Sequence, residues 1–292
     1  MHIRVLGAAA GGGFPQWNCG CPNCRKARSG SSDVTPRTQE SIAVSVDGAR
    51  WLLLNASPEI RSQIESFQGL HPREPRHSPI AGIVLTNGDL DHCLGLLSLR
   101  ESHPLTVYAT DAVRRGFTEA NILYRTLERF PGQATWKKPE GEVLEGLSMR
   151  PVPAPGKPPV HLEGRAANDP QENIGVVLHD RRSGKRLAYF SATAGVTPQM
   201  REAIESADCV FFDGTFWSSD ELIRLGLGTK RAEDMAHVPV EESLVALKGL
   251  KGRKVYIHIN NTNPMLDRTT PERRQVEQAG WEIAHDGMEI VL

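Results

Sequence analysis

Apolar positions along this chain fall into two spacings, short β-branched runs and longer stretches with a helical repeat. The short runs predict strands over residues 3–6, 42–46, 51–55, 83–86, 106–109, 176–179, 187–191, 210–213, 255–259 and 289–292. The helical repeat predicts helices over 58–66, 89–100, 111–117, 118–130, 198–206, 240–248 and 271–279. Three of these open with a capping residue and then proline: Ser57-Pro58, Thr197-Pro198 and Thr270-Pro271. Early strands follow one another through tight turns such as Asp47-Gly48, whereas later ones alternate with helices. That mixture predicts a layered α/β sandwich rather than one doubly wound sheet. No change of composition marks a boundary, so residues 1–292 are expected to form a single domain. Residues 151–170 are rich in Pro, Gly and Ala; at about 20 residues the stretch is long for a connector, which predicts a loop over a site.

Composition adds bounds. A hydrophobic share of 39% with 24% charged residues is that of a globular protein. The formal charge of −1 gives no electrostatic case for nucleic acid or an anionic membrane as partner. No apolar run approaches the ~18 residues of a spanning helix, so no membrane insertion is expected. The opening Met1-His2-Ile3-Arg4 lacks the apolar core of an export signal. The expected location is the cytoplasm.

The cysteines fall into two groups. Cys93 and Cys209 stand alone beside apolar residues and read as core. Cys19, Cys21 and Cys24 crowd into Asn18-Cys19-Gly20-Cys21-Pro22-Asn23-Cys24, a spacing suited to a structural zinc. A fourth ligand is expected from the loop at residues 258–263. Such a zinc is expected to support the fold at a distance from the active site. The Gly7-Ala8-Ala9-Ala10-Gly11-Gly12-Gly13 turn superficially suggests a dinucleotide fingerprint, but Phe14-Pro15 and the cysteines follow where a helix would have to begin. It reads instead as backbone approaching a substrate pocket closely.

Candidate chemistry concentrates after the run ending at Leu85, in Thr86-Asn87-Gly88-Asp89-Leu90-Asp91-His92. This resembles the T-H-x-H-x-D-H motif of the metallo-β-lactamase superfamily, with Asn87 and Asp89 standing where two imidazoles would be. The opening Gly-Gly-Gly-Phe-Pro-Gln-Trp-Asn-Cys-Gly-Cys-Pro-Asn-Cys, Phe212-Asp213-Gly214-Thr215-Phe216-Trp217 and His258-Ile259-Asn260-Asn261-Thr262-Asn263-Pro264 extend the resemblance along the chain. Together they are similar to the coenzyme PQQ synthesis protein B family of that superfamily. The resemblance implies an αβ/βα four-layer sandwich and a place in pyrroloquinoline quinone (PQQ) biosynthesis, alongside other proteins of that pathway. It further implies iron-dependent hydroxylation of the tyrosine ring in a Glu-Tyr unit derived from the small peptide PqqA. A role in carrying PQQ or its precursor toward the periplasm is the alternative, and a single-metal hydrolase a second one.

Set against the superfamily pattern, the first metal site is expected to be missing. Asn87 and Asp89 replace its early ligands, residues 152–156 offer no third imidazole, and Ser191-Ala192-Thr193 stands where a bridging Asp belongs. The second site is expected from Asp91, His92 and His258, a facial triad of the kind that holds non-haem Fe(II). Asp89 is a candidate fourth oxygen ligand or neighbouring base. Asp213 ends an apolar strand and suits either the site or a turn. His237 resembles a catalytic His of the RNase Z-like branch, although Ala236 replaces the usual Gly. His258 also stays open as a zinc ligand, since imidazole suits both metals. The remaining histidines have no ligand-like company. The expected cofactors are a structural Zn2+ and an active-site Fe2+; electrons must come from a reductant that the sequence does not name.

Overall fold

A computed structural model of the chain describes residues 1–119, 121–163 and 169–292. Six strands begin the first sheet: β1 (His2–Gly7), β2 (Ser41–Ser45), β3 (Trp51–Leu54), β4 (Ile80–Val84), β5 (Leu105–Tyr108) and β6 (Ala134–Lys137). The second sheet follows with β7 (Gly141–Leu144), β8 (Leu147–Pro153), β9 (Ile174–Asp180), β10 (Arg186–Phe190), β11 (Cys209–Asp213), β12 (Arg253–Ile257) and β13 (Glu282–Ile283). The chain then returns to the first sheet as β14 (Glu289–Val291), antiparallel to β1. The orders are β14-β1-β2-β3-β4-β5-β6 and β13-β12-β11-β10-β9-β8-β7. Each sheet is antiparallel at one side and parallel at the other, the change falling between β2–β3 and β3–β4, and between β9–β10 and β10–β11.

Period-two alternation explains the stacking. Leu52 and Leu54 point between the sheets, where they meet Val176, Leu178, Tyr189 and Phe211. Their neighbours Trp51 and Leu53 face the other way, onto α2 (Ile60–Glu65) and α4 (Asp111–Thr118). Likewise Phe211 faces the first sheet while Phe212 packs with Met200 of α5 (Pro198–Glu205) and Val276 of α8 (Pro271–Gln278). Both sheets therefore bury both faces, and the result is the expected four-layer αβ/βα sandwich. Each such Leu or Phe contributes about 1.5–3 kcal/mol by leaving water.

Several local expectations need correction. Strands β6, β7, β8 and β13 and the helix Pro22–Arg28 were not foreseen. The helix expected over 118–130 is a 3₁₀ turn at Ile122–Leu127, capped by Asn121; residue 120 lies outside the described residues. The one expected over 89–100 is α3 (Leu90–Cys93) followed by a 3₁₀ segment to Leu99. Gly95 abuts the backbone of Ala56 and Ser57 there, and a Cβ on it would lie 2.2 Å from the Ser57 oxygen. Ser57 does not cap α2, because its hydroxyl donates to Gln63 and the helix starts after Glu59. Thr197 and Thr270 do cap, accepting from the backbone NH of Met200 and Arg273. Among the described residues no helix is long and apolar enough to cross a membrane.

Candidate metal centre and active site

The ends of the strands meet at one edge of the sandwich. Ala9 bridges to Ile259, joining the exit of β1 to that of β12, and Asn87 bridges to Asn173, joining the exit of β4 to the entry of β9. Asp91 and His92 lie on α3, directly after β4. His258 follows β12 in the left-handed backbone region (φ 56°), a sharp turn that directs its ring back across the mouth. The fold thus brings together residues 166 positions apart and more.

His258 Nε2 lies 3.1 Å from Asp91 Oδ2, and His92 Nε2 lies 3.7 Å from the same oxygen. Ligands about 2.1 Å from one metal ion stand roughly 3.0–3.4 Å apart; the His258 pair is at that spacing, the His92 pair is slightly wider, and all three donor atoms lie within 4.8 Å of one another. The two imidazoles are edge to face, with centroids 5.1 Å apart. Burial works against charge on Asp91, but His92 and His258 beside it hold its carboxyl well below the usual range. Burial pushes His92 down to about 4, keeping it neutral as a ligand must be. Its Nε2 is buried without a hydrogen-bond partner among the described residues, an orphan that a metal would satisfy. His258 goes the other way, to about 9, because the Asp91 hydrogen bond outweighs burial. The donor set fits a dication.

A second grouping, Asp213 with His237 and His258, also converges. Hydrogen bonding decides against it as a metal site. Asp213 Oδ2 accepts from Thr193 NH (2.8 Å) and His237 Nδ1 (2.7 Å), while Oδ1 accepts from Thr215 NH (2.9 Å) and its hydroxyl (2.6 Å). Four donors saturate the carboxylate. Burial would raise its proton affinity, but His237 and these donors hold it below the ordinary range. Asp213 is therefore both a turn residue and the partner of His237, and the Nδ1 bond leaves His237 Nε2 as its free nitrogen. His237 stacks on His258 at 5.3 Å.

Both histidines border a cavity of about 230 Å³, with Phe216, Met235 and Val160 as apolar wall. Ala10 and Gly11 line it too; a Cβ on Gly11 would lie 3.4 Å from Asp91 Oδ2, so the glycine-rich turn does approach the site. Asp89 lines the same cavity, pushed up to about 6 by burial and by Asp91, but stands outside the ligand cluster. The 151–170 stretch begins as β8 and then supplies Lys157 and Val160 to the wall; 164–168 lie outside the described residues.

Two further residues, Glu40 and Asn173, stand at the site without a motif of their own in the sequence. Glu40, wholly buried, lies 3.5 Å from His92 Nε2 and accepts from Asn55 at 2.8 Å, and burial raises it to about 8. Its only signal was a carboxylate abutting an apolar strand. Asn173 joins the segments in which the sequence pattern lacks the first-metal ligands, at Asn87, Pro155 and Ala192. Its amide donates to Ala192 O (2.8 Å) and Pro155 O (3.3 Å) and accepts from Asn87 at 3.3 Å. The chain segments that would carry metal ligands are thus clasped by an amide. Asn173→Ala is expected to lower stability by about 1–3 kcal/mol through stranded partners. A shift in urea midpoint at constant slope measures it; an unchanged midpoint would show the clasp to be idle.

Cys19, Cys21 and Cys24 converge with their sulfurs within 4.8 Å of one another. Asn261 completes the group, its side-chain nitrogen 3.1, 3.6 and 3.3 Å from the three sulfurs. A half-turn of that amide presents Oδ1 at the same place, giving a fourth ligand from the expected loop. Burial pushes the Cys21 thiol up to about 12, so ionising it is favoured by a cation held among the sulfurs. His258 faces Asp91 instead, which removes it as the zinc candidate. The expectation of a remote zinc fails: Asn261 and His258 share one loop. Cys93 and Cys209 are core, as expected.

A four-layer sandwich with an Asp–His–His set at the strand ends defines a metallo-β-lactamase-type metal protein. A family model of the β-lactamase superfamily domain matches residues 50–259. Coenzyme PQQ synthesis protein B of Azotobacter vinelandii is 45% identical, with all of both chains covered. The crystal structure of Zn2+-bound PqqB from Methylobacterium extorquens superposes with a TM-score of 0.94 at 44% identity, again over the whole of both chains. A diphosphatase of the PhnP family shares the fold, with a TM-score of 0.69 at 21% identity over 99% of this chain and 96% of its own. The chain belongs to the coenzyme PQQ synthesis protein B family, within the metallo-β-lactamase superfamily.

Proposed function

We propose that this protein hydroxylates the tyrosine ring of a Glu-Tyr precursor in PQQ biosynthesis, using an iron(II) ion held by Asp91, His92 and His258. The observation that carries the reading is the pairing, at one cavity, of this three-donor set with the Asp213–His237 dyad. Bound iron would supply the redox chemistry by which dioxygen attacks an aromatic ring. His237 Nε2 takes the phenolic proton as the ring becomes electron-rich, and Asp213 stabilises the imidazolium that forms. Buried Phe216, with half-buried Met235 beside it, gives the ring an apolar surface to pack against. One oxygen atom enters the ring and the other leaves as water, with two electrons drawn from a reductant of the ascorbate type. Clasping the first metal region with Asn173 favours this over two-metal hydrolysis, which needs both ions. Five free cysteines suit a reducing cytoplasm. Asn261 and the three cysteines would hold a structural zinc.

The test is oxygen uptake by iron-loaded protein with Glu-Tyr and ascorbate, read together with mass spectrometry for one added oxygen atom. His237→Gln is expected to slow turnover by about 10²–10⁴-fold while iron content stays parental. Parent protein that consumes no oxygen and forms no product would defeat the reading.

A further inference from the structure

The loop that crosses the cavity carries a cation without an assigned task. Lys157 is the one Lys or Arg among the described residues lining the cavity, which otherwise presents Asp89, Asp91 and two imidazoles. Its backbone is fixed. A Cβ on the preceding Gly156 would lie 2.5 Å from Asn173, so the loop is pressed against the clasp, and Pro155 O receives the backbone NH of Ala194 at 2.8 Å. Pro158 and Pro159 stiffen the chain beyond it, with Pro159 seated on Gly88. A rigid root thus carries a long flexible stem.

The ammonium is paired with Glu163, at the end of the single 3₁₀ turn Val160–Leu162. Both side chains keep solvent contact, at 26% and 41% exposure, so the pair is a surface pair screened by water. A carboxylate thus already meets this cation, in a solvent-exposed pair beside a cavity of mixed apolar and polar lining. We propose that Lys157 is the specificity-determining residue of the cavity: it exchanges Glu163 for a carboxylate of the substrate and so selects carboxylate-bearing phenols. This deepens the hydroxylase reading above and rests on it. Glu163 acts as an internal competitor.

A matched pair of probes isolates the carboxylate: N-acetyltyrosine, which is anionic, and N-acetyltyrosinamide, which is neutral. Equilibrium binding by calorimetry is measured on metal-loaded protein without turnover. Lys157→Met is expected to weaken N-acetyltyrosine about 10–100-fold, the range of a hydrogen bond to a charged group, and to leave the amide unchanged. Lys157→Arg should restore most of the affinity, and Glu163→Gln should tighten N-acetyltyrosine several-fold by removing the competitor. Equal losses for both probes in Lys157→Met, or weaker binding in Glu163→Gln, would overturn the proposal and leave the hydroxylase reading standing. Parent protein that binds neither probe would overturn the phenol pocket itself.

Discussion

Asp91→Ala protein is expected to fold, to keep any zinc bound at the proposed cysteine site, and to lose affinity for active-site iron(II) or cobalt(II) by at least about a hundredfold. The substitution removes the anion on which both imidazoles converge, at 3.1 and 3.7 Å. His258 then loses the hydrogen bond that raises it to about 9 and relaxes toward the neutral state that burial favours. Cobalt absorption bands follow occupancy directly, without any assay of turnover. Asp213→Asn is the contrast, because Asp213 is saturated by four protein donors and should alter proton handling with cobalt still bound. If Asp213→Asn released cobalt and Asp91→Ala retained it, the two convergent groups would have been assigned the wrong way round.

Cys21→Ser is expected to have the largest effect on stability. Losing a structural metal belongs with the few changes that cost more than about 4 kcal/mol, which corresponds to a fall of roughly 10 °C in Tm. The active site is expected to suffer with it. Asn23 donates to the backbone oxygens of Asn261 (3.1 Å) and Asn263 (2.9 Å). Asn263 in turn holds Gly214 O, and the Asn260 NH holds Thr215 O. Thr215 then fixes His258 Nδ1 at 2.8 Å. Every step is a hydrogen bond, leading from the Pro22–Arg28 helix through the 258–263 loop to Thr215 after β11, so a shift at the sulfurs reaches the imidazole. Cobalt should therefore bind more weakly to the active site of Cys21→Ser than to that of the parent. A variant that melts at lower temperature yet binds active-site cobalt normally would show the two centres to be independent.

The strands of the two inner faces were legible because β-branched and aromatic residues alternate there without interruption. Strand β8 was not, since Arg150, Pro151 and Pro153 interrupt its apolar run. The structure accommodates both prolines because β7 pairs only as far as Met149, leaving the strand's outer edge free of a ladder beyond it. Strand β6 exposes alternate residues at an edge and carried too few apolar positions to register. At the site, Asp91 and His92 were readable because they are adjacent in a recognisable turn, and His258 because it follows a strand. Asn173 and Glu40 were not, because their importance is set by which strands lie side by side. Neither residue has a neighbour in sequence that hints at its partner in space.

The Asn87–Asn173 clasp separates cohesion from catalysis. Where two metal ions sit between opposed sheets, each ion is also a rivet, and removing it loosens the walls it joins. Here the amide bridge, together with the Ile174 NH bonded to Thr86 O at 2.9 Å, spans the same gap with uncharged groups that neither oxidise nor dissociate. A protein built this way can surrender its catalytic ion and still present Asp91, His92 and His258 in register for the next one. If the site works with ferrous iron, as proposed above, a metal easily oxidised and lost, the empty protein is an intermediate in reloading rather than a casualty.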